Sequence, residues 1–246
     1  MVNTEDIISS DKYIDKLSNI LALKLMLESH ASTISILKKE LVSLEKIIPK
    51  MLNKLKKTKK SRLVYVGAGT SGRIAVQDAV ELYPTFGWPL SRIAFIIAGG
   101  MKALTKSVEG SEDNCISSKA MIAKNKICKH DVVIGIAASG NTPFTVDCIL
   151  EAKKKGALTV VVVNNTNSVL QQKADLSVCL PTGAEVVAGS TRLKAGTAQK
   201  ICLNMISTLL MTRLGFVKNG LMINLVPSNE KLIKRKKLIK NLVNDF

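Results

Sequence analysis

Aromatic residues make up only 4% of this 246-residue chain, and there is a single tryptophan. Ring-on-base stacking, a usual grip on single-stranded nucleic acid, therefore has little to work with. Histidine is scarcer still: there are only His30 and His130, and no His, Cys and Asp cluster has metal-ligand spacing. Neither a histidine base nor a metal centre is expected, and nothing in the sequence asks for a cofactor. The five cysteines, Cys115, Cys128, Cys148, Cys179 and Cys202, form no Cys-x-x-Cys pair and no even framework. A disulfide scaffold is excluded, and reduced, mostly buried thiols are expected. No run reaches the roughly 18 apolar residues of a membrane span, and the opening Met-Val-Asn-Thr-Glu-Asp lacks the basic region of a secretory leader. The expectation is a cytoplasmic protein with no membrane partner.

Acidic residues are in deficit: 19 Asp and Glu stand against 36 Lys and Arg, a net charge of +17. Nucleic acid is the first partner such a balance suggests. The excess is spread along the chain, however, with one local cluster from Lys234 to Lys237. A lysine-rich background that favours a small anionic substrate explains it better, and no nucleic-acid partner is expected.

What is present is concentrated in Leu63 to Gly72, reading Leu-Val-Tyr-Val-Gly-Ala-Gly-Thr-Ser-Gly. Apolar and β-branched residues run into a glycine-rich loop, and a helical pattern follows. Glycine permits positive φ and close approach to a ligand, while the free N–H groups of a first helical turn favour an anion. Gly67, Gly69 and Gly72 also fit the Gly-x-Gly-x-x-Gly spacing of dinucleotide folds. Such a fold wants an acid at the end of the next strand, and that strand ends Ile97-Ala98-Gly99-Gly100. The anion is therefore expected to be a phosphate outside a dinucleotide.

From Ile14 to Leu55 apolar residues recur at three and four, predicting two amphipathic helices with a break near Ser29 to Thr33. Strands are predicted at Leu63 to Val66, Arg92 to Ala98, Val132 to Ala137, Leu158 to Val163 and Leu176 to Leu180, with helices between them. This is α/β: a five-stranded parallel sheet with helices on both faces, preceded by an α-helical segment. The division is residues 1–60 helical, 61–228 the sheet domain and 229–246 a basic helix. Two strand ends, at Thr70-Ser71 and at Ser139 to Thr142, carry hydroxyl-rich loops at helix starts. Together they can hold one phosphate, or they merely cap helices, as Thr142 before Pro143 suggests. Carboxylates gather nearby in sequence: Glu81 beside a Pro-Thr-Phe-Gly loop, and Glu109, Glu112 and Asp113 after the second strand.

The runs Gly67-Ala-Gly-Thr-Ser-Gly-Arg73, Pro84-Thr-Phe-Gly87, Ile97-Ala-Gly-Gly100, Val108-Glu-Gly-Ser-Glu-Asp113, Gly135-Ile-Ala-Ala-Ser-Gly140 and Gly189-Ser-Thr-Arg-Leu-Lys-Ala-Gly-Thr-Ala-Gln-Lys200 closely resemble N-acetylmuramic acid 6-phosphate etherases. These belong to the sugar isomerase (SIS) domain superfamily. The resemblance covers about Leu17 to Leu232, and its last run is the most specific. It implies a SIS domain binding an N-acetylated amino-sugar 6-phosphate, cytoplasmic recycling of cell-wall sugar, and a homodimer. It also implies a lyase that cleaves the lactyl ether by elimination and hydration, with the catalytic carboxylates on Glu81 and Glu112. The substrate-binding set is then Gly69, Thr70, Ser71, Gly72, Ser139, Gly140, Asn141, Thr142, Ser190, Thr191, Arg192 and Lys194.

Three departures stand out. The family shows Ser-Glu-Cys-Pro-Pro-Thr-Phe-Gly where this chain has Val80-Glu81-Leu82-Tyr83-Pro84-Thr85-Phe86-Gly87, and Arg and Tyr where Asn141 and Phe144 stand. Relatives continue into a small helical domain expected to be absent here beyond Phe246. The alternative reading is a non-catalytic sugar-phosphate sensor or an inactive paralogue, which would not need a paired acid and base.

Overall fold

The computed structural model describes residues 3–113 and 115–244, apart from the side chains of 115–117 and 243–244. Two helices lead, α1 (Asn19–Lys39) and α2 (Leu41–Lys56). They meet at Glu40, about ten residues later than the sequence pattern predicts. The hydroxyls of Ser32, Thr33 and Ser35 donate to the carbonyls three residues before them, at 2.7, 2.7 and 2.8 Å. Their polar groups are satisfied inside the helix, so the polar stretch does not break it.

The sheet domain follows: β1 (Leu63–Gly67), α3 (Gly69–Val80), α4 (Leu82–Phe86), β2 (Ile93–Ile97), α5 (Cys115–Lys124), β3 (Val132–Ala137), α6 (Pro143–Lys154), β4 (Leu158–Val163), α7 (Val169–Lys173), β5 (Leu176–Cys179) and α8 (Lys194–Arg213). The five strands are all parallel, in the order β2-β1-β3-β4-β5. The strands are nearly all apolar because both faces are covered. Leu63, Tyr65, Ile134 and Val162 pack on one side with α2, α3 and α8. Val64, Val66, Val133 and Val161 pack on the other with α5, α6 and α7.

Where the sequence reads as a Pro-Thr-Phe-Gly loop, the chain makes the short helix α4 instead. It ends at Gly87 (φ 67°), and the segment before Leu225 covers it, with the Val226 N–H donating to the Pro84 carbonyl at 3.0 Å. A two-stranded hairpin, β6 (Val217–Lys218) and β7 (Leu221–Met222), is absent from the strands predicted above. Asn219-Gly220, with φ of 50° and 74°, forms its turn, and this dipeptide is a strong hairpin marker. The last helix, α9 (Glu230–Asn244), is the basic one.

Glycine matters most where β1 turns into α3. A Cβ on Gly67 would lie 3.0 Å from the backbone N and Cα of Gly72 and 3.1 Å from the Ile136 carbonyl oxygen. No side-chain rotation relieves such a contact. Gly67→Ala is expected to cost about 1–3 kcal/mol and to lower Tm by roughly 2–10 °C in a thermal melt. An unchanged Tm would mean that β1 and α3 can separate freely.

By length and composition α1 is the one helix among the described residues that could cross a membrane, with a mean hydropathy of 1.3 over its most apolar 18-residue window. This differs from the expectation that no stretch is apolar enough. Its second half is nevertheless fastened to the sheet domain. Leu37 and Thr33 are buried, and His30 Nδ1 is hydrogen-bonded to Thr197 Oγ1 of α8 at 2.9 Å. Its first half is bare: Ile20, Leu21, Leu23 and Leu27 are each more than half exposed. Cys128, Cys148, Cys179 and Cys202 are all free thiols. Burial pushes Cys179 up to about 11 and Cys202 up to about 12, so neither is a thiolate at neutral pH.

Candidate functional site

The strand order reverses between β1 and β3: β1 leads outward to β2, and β3, β4 and β5 continue on its other side. Loops leaving the carboxyl ends of two such strands diverge, and ligands of open α/β sheets bind in the crevice between them. Here the crevice is a cavity of about 360 Å³. The loop after β1 supplies Gly69, Thr70 and Ser71, the loop after β3 supplies Ser139 and Thr142, and Thr191 comes from the stretch before α8. These six belong to the expected binding set.

The hydroxyls in these loops do not serve as helix caps. Ala68 stands at the N-cap of α3 and Thr142 at that of α6, and neither helix has a side-chain capping bond. The first-turn N–H groups and the hydroxyls of Thr70 and Ser71 thus face a shared space, the arrangement that binds phosphate.

Glu112 lines the same cavity. The long loop that carries it is held at both ends. Arg73 donates from Nε to the Ala103 carbonyl at 2.9 Å and from Nη2 to the Lys106 carbonyl at 3.3 Å. At the far end the Phe144 N–H donates to the Glu112 carbonyl at 3.0 Å, tying the loop to the first turn of α6. A Cβ on Gly69, whose φ is +51°, would lie 2.9 Å from Glu112 Oε1. That glycine both turns the backbone and admits the carboxylate.

The other expected residues lie outside the cavity lining. Gly72 packs on Gly67, 3.1 Å from its carbonyl at the Cβ position. Gly140 (φ +68°) is enclosed by Ser168, and Asn141 accepts from the Val169 N–H at 2.9 Å, so both shape the loop from behind. Ser190, Arg192 and Lys194 also stand back. The start of α8 already has its anion: the fully buried Glu185 accepts from the N–H groups of Lys194 and Ala195 at 3.1 and 2.9 Å. A carboxylate there satisfies two of the N–H groups of the helix terminus. Burial holds the Lys194 ammonium below its ordinary range, with Glu185 opposing that shift.

Glu81 lies apart from the cavity of its own chain. It follows α3, whose other end begins at the glycine-rich turn after β1. At 1.5 Å per residue the twelve residues from Gly69 to Glu81 span roughly 18 Å. Its neighbourhood is the amino edge of the sheet. There Arg92 covers the Trp88 ring at 4.0 Å and donates to the Ser61 carbonyl at 2.6 Å. Glu81 is exposed, and it does not line the cavity of its own chain.

Sequence reasoning gave no role to Glu5, Arg73, Ser107 or Ser111, all in the cavity wall. Arg73, Ser111 and Glu112 were visible in the glycine-rich and Glu-Gly-Ser-Glu-Asp runs. Nothing in local spacing connects Glu5 to a loop more than sixty residues onward. Among the described residues no group of three or more His, Cys, Asp or Glu is placed to hold a metal ion.

The doubly wound sheet with a hydroxyl-lined crevice at its switch point is that of a SIS domain protein, as the family matches show. The SIS domain family matches residues 116–209, and the family described as glucokinase regulatory protein N-terminal SIS domain matches residues 44–153. Among solved structures the fold is shared with a phosphoheptose isomerase from Francisella tularensis, at TM-score 0.57 and 16% identity, covering 78% of this chain and 98% of that one. It is also shared with the Vibrio vulnificus NanR protein complexed with ManNAc-6P, at TM-score 0.52 and 14% identity, covering 94% and 71%.

Closer relatives narrow the class. The chain is 43% identical to an N-acetylmuramic acid 6-phosphate etherase of Geobacillus thermodenitrificans over 96% of its length and 79% of the relative's. It is 41% identical to one of Mycoplasma mycoides subsp. mycoides over 98% and 80%. The chain belongs to the N-acetylmuramic acid 6-phosphate etherase family.

Proposed function

We propose that this chain is a carbon-oxygen lyase that cleaves the lactyl ether of N-acetylmuramic acid 6-phosphate, leaving N-acetylglucosamine 6-phosphate and D-lactate. The observation that carries the reading is a carboxylate, Glu112, on the wall of a cavity whose other wall is an anion-binding loop. The phosphate sits on the hydroxyls of Thr70, Ser71, Ser139 and Thr142 and on the N–H groups that begin α3. With the phosphate anchored there, C2 of the sugar comes before Glu112.

An ether resists direct hydrolysis, but in the open-chain sugar the aldehyde at C1 acidifies the C2 proton. Glu112 takes that proton. The electron pair of the C2–H bond becomes the C2–C3 double bond, and the C3–O bond to lactate breaks. A protonated carboxyl, Glu81, gives its proton to the departing oxygen, and water then adds at C3 of the unsaturated aldehyde. Acid and base help of this kind is typically worth roughly 10²- to 10⁴-fold each.

Because Glu81 stands roughly 18 Å along α3 from the phosphate loop, the acid at each site is the partner's Glu81 in a homodimer. The exposed apolar residues of α1, with Leu41 and Val42 of α2, offer the surface for such a pairing. Between α2 and α8 lies a groove lined by Leu44, Ile48, Leu52, Met205 and Leu209 that would be covered with them. A reducing cytoplasm suits the free thiols.

Incubation with N-acetylmuramic acid 6-phosphate should release lactate in proportion to time and protein. A protein that binds the sugar phosphate and releases none would be a sensor, the reading favoured by the distance between the two glutamates within one chain.

A further inference from the structure

The chemistry above leaves one carboxylate in the cavity wall unused. Glu5 reaches the cavity from the opposite end of the chain, and its placement there is built. The preceding Thr4 is fully buried. Its N–H donates to Asn165 Oδ1 at 3.0 Å, and its hydroxyl accepts from Asn165 Nδ2 at 2.9 Å. Asn165 lies just beyond the carboxyl end of β4, so this reciprocal pair fastens the segment to the same sheet edge that carries the phosphate loops. Asn3 tightens the turn: its N–H donates to Asp6 Oδ2 at 2.8 Å, and its Oδ1 accepts from the Glu5 N–H at 3.1 Å. Across from it, a Cβ on Gly189 (φ +70°) would lie 3.0 Å from Glu5 Oε2. Residues this near a chain end are ordinarily loose unless something ties them down. Here a buried hydrogen-bonded pair does so, and the side chain it presents to the cavity is a charge.

We propose that residues 3–6 form a strap across the cavity and that Glu5 is a substrate-binding residue. Its carboxylate accepts hydrogen bonds from the hydroxyl or amide hydrogens of the sugar. This rests on the sugar-phosphate reading given above. An ionised carboxylate is acceptor-only and repels phosphate, so it must face the neutral, donor-bearing part of the ligand. The cavity then has hydroxyl and N–H donors where the phosphate lies and acceptors, Glu5 and Glu112, where the polyol lies. Such a division orients an anionic sugar and discriminates against a bare phosphate ion, which can use only the donor end.

The test is a binding titration of the full chain with N-acetylglucosamine 6-phosphate and, separately, with inorganic phosphate. Glu5→Ala should weaken the sugar phosphate roughly 10- to 100-fold, as expected for losing hydrogen bonds to a charged group, while leaving inorganic phosphate within about twofold. Glu5→Gln, whose amide oxygen still accepts, should fall between. Thr4→Val, which unfastens the strap but keeps Glu5, should act in the same direction. The double variant with Glu5→Ala should be little worse than either single change, because both act through one carboxylate. Equal weakening of both ligands by Glu5→Ala would assign the residue a purely structural role and overturn the proposal. So would a sugar-phosphate affinity within about twofold of the parent in a protein that still releases lactate, and that result would leave the lyase reading standing. A parent chain that binds inorganic phosphate but no amino-sugar phosphate would overturn both.

Discussion

Glu112→Gln is expected to lose both lactate release and the exchange of the C2 hydrogen of substrate with deuterated water, by roughly 10²- to 10⁴-fold. Glu81→Gln is expected to lose lactate release on the same scale but to keep the exchange. Removing the C2 proton gives a delocalised enediolate that forms and reprotonates without any help from the leaving group. Expelling an alkoxide without an acid leaves a poorly stabilised charge. Glutamine keeps the shape of glutamate, so circular dichroism should report an unchanged fold in both. Exchange lost in Glu81→Gln and retained in Glu112→Gln would reverse the roles. Full lactate release in both would remove the two glutamates from the chemistry.

Mixing those two inactive variants should restore activity. If each site takes Glu112 from one chain and the partner's Glu81, a mixed dimer has one site with both carboxylates and one with neither. Random exchange of subunits makes half the dimers mixed, each with one working site in two, so lactate release should recover to about a quarter of the parent rate. A single chain using its own pair would give no recovery. The difference between about a quarter and nearly nothing is read in one assay after unfolding and refolding the two variants together. Absence of recovery from proteins that form mixed dimers, shown by tagging one of them, would return the acid to some group within the chain. A clean monomer by light scattering would do the same.

Much of this molecule was legible one segment at a time. Val132–Ala137 and Leu158–Val163 read as buried strands because a parallel sheet covered on both faces tolerates only apolar residues, and both lie where the sequence pattern predicts. The start of α6 at Pro143 and the positive φ of Gly69 are equally local properties. The two hydroxyl-bearing loops were legible for the same reason, since a glycine-rich turn opening a helix offers its N–H groups wherever the rest of the chain goes.

The errors came where polar groups had a choice of partner. Ser29 to Thr33 read as a break, and the stretch stays helical because the hydroxyls of Ser32, Thr33 and Ser35 bond their own backbone. At the start of α8 the buried Glu185, nine residues before Lys194, accepts from the N–H groups of Lys194 and Ala195, a pairing that no sequence spacing announced.

The parallel α/β architecture, the two hydroxyl-bearing loops and the family all follow from the order of residues alone, because each depends on short runs whose backbone conformation is set by their own side chains. Which carboxylates meet in the cavity is settled by the fold in three dimensions. The length of α3 carries Glu81 to the far edge of the sheet, whereas the clasp between Thr4 and Asn165, 161 positions apart, brings Glu5 in. A helix transmits position rigidly at about 1.5 Å per residue, and a hydrogen bond between distant segments obeys no sequence spacing at all.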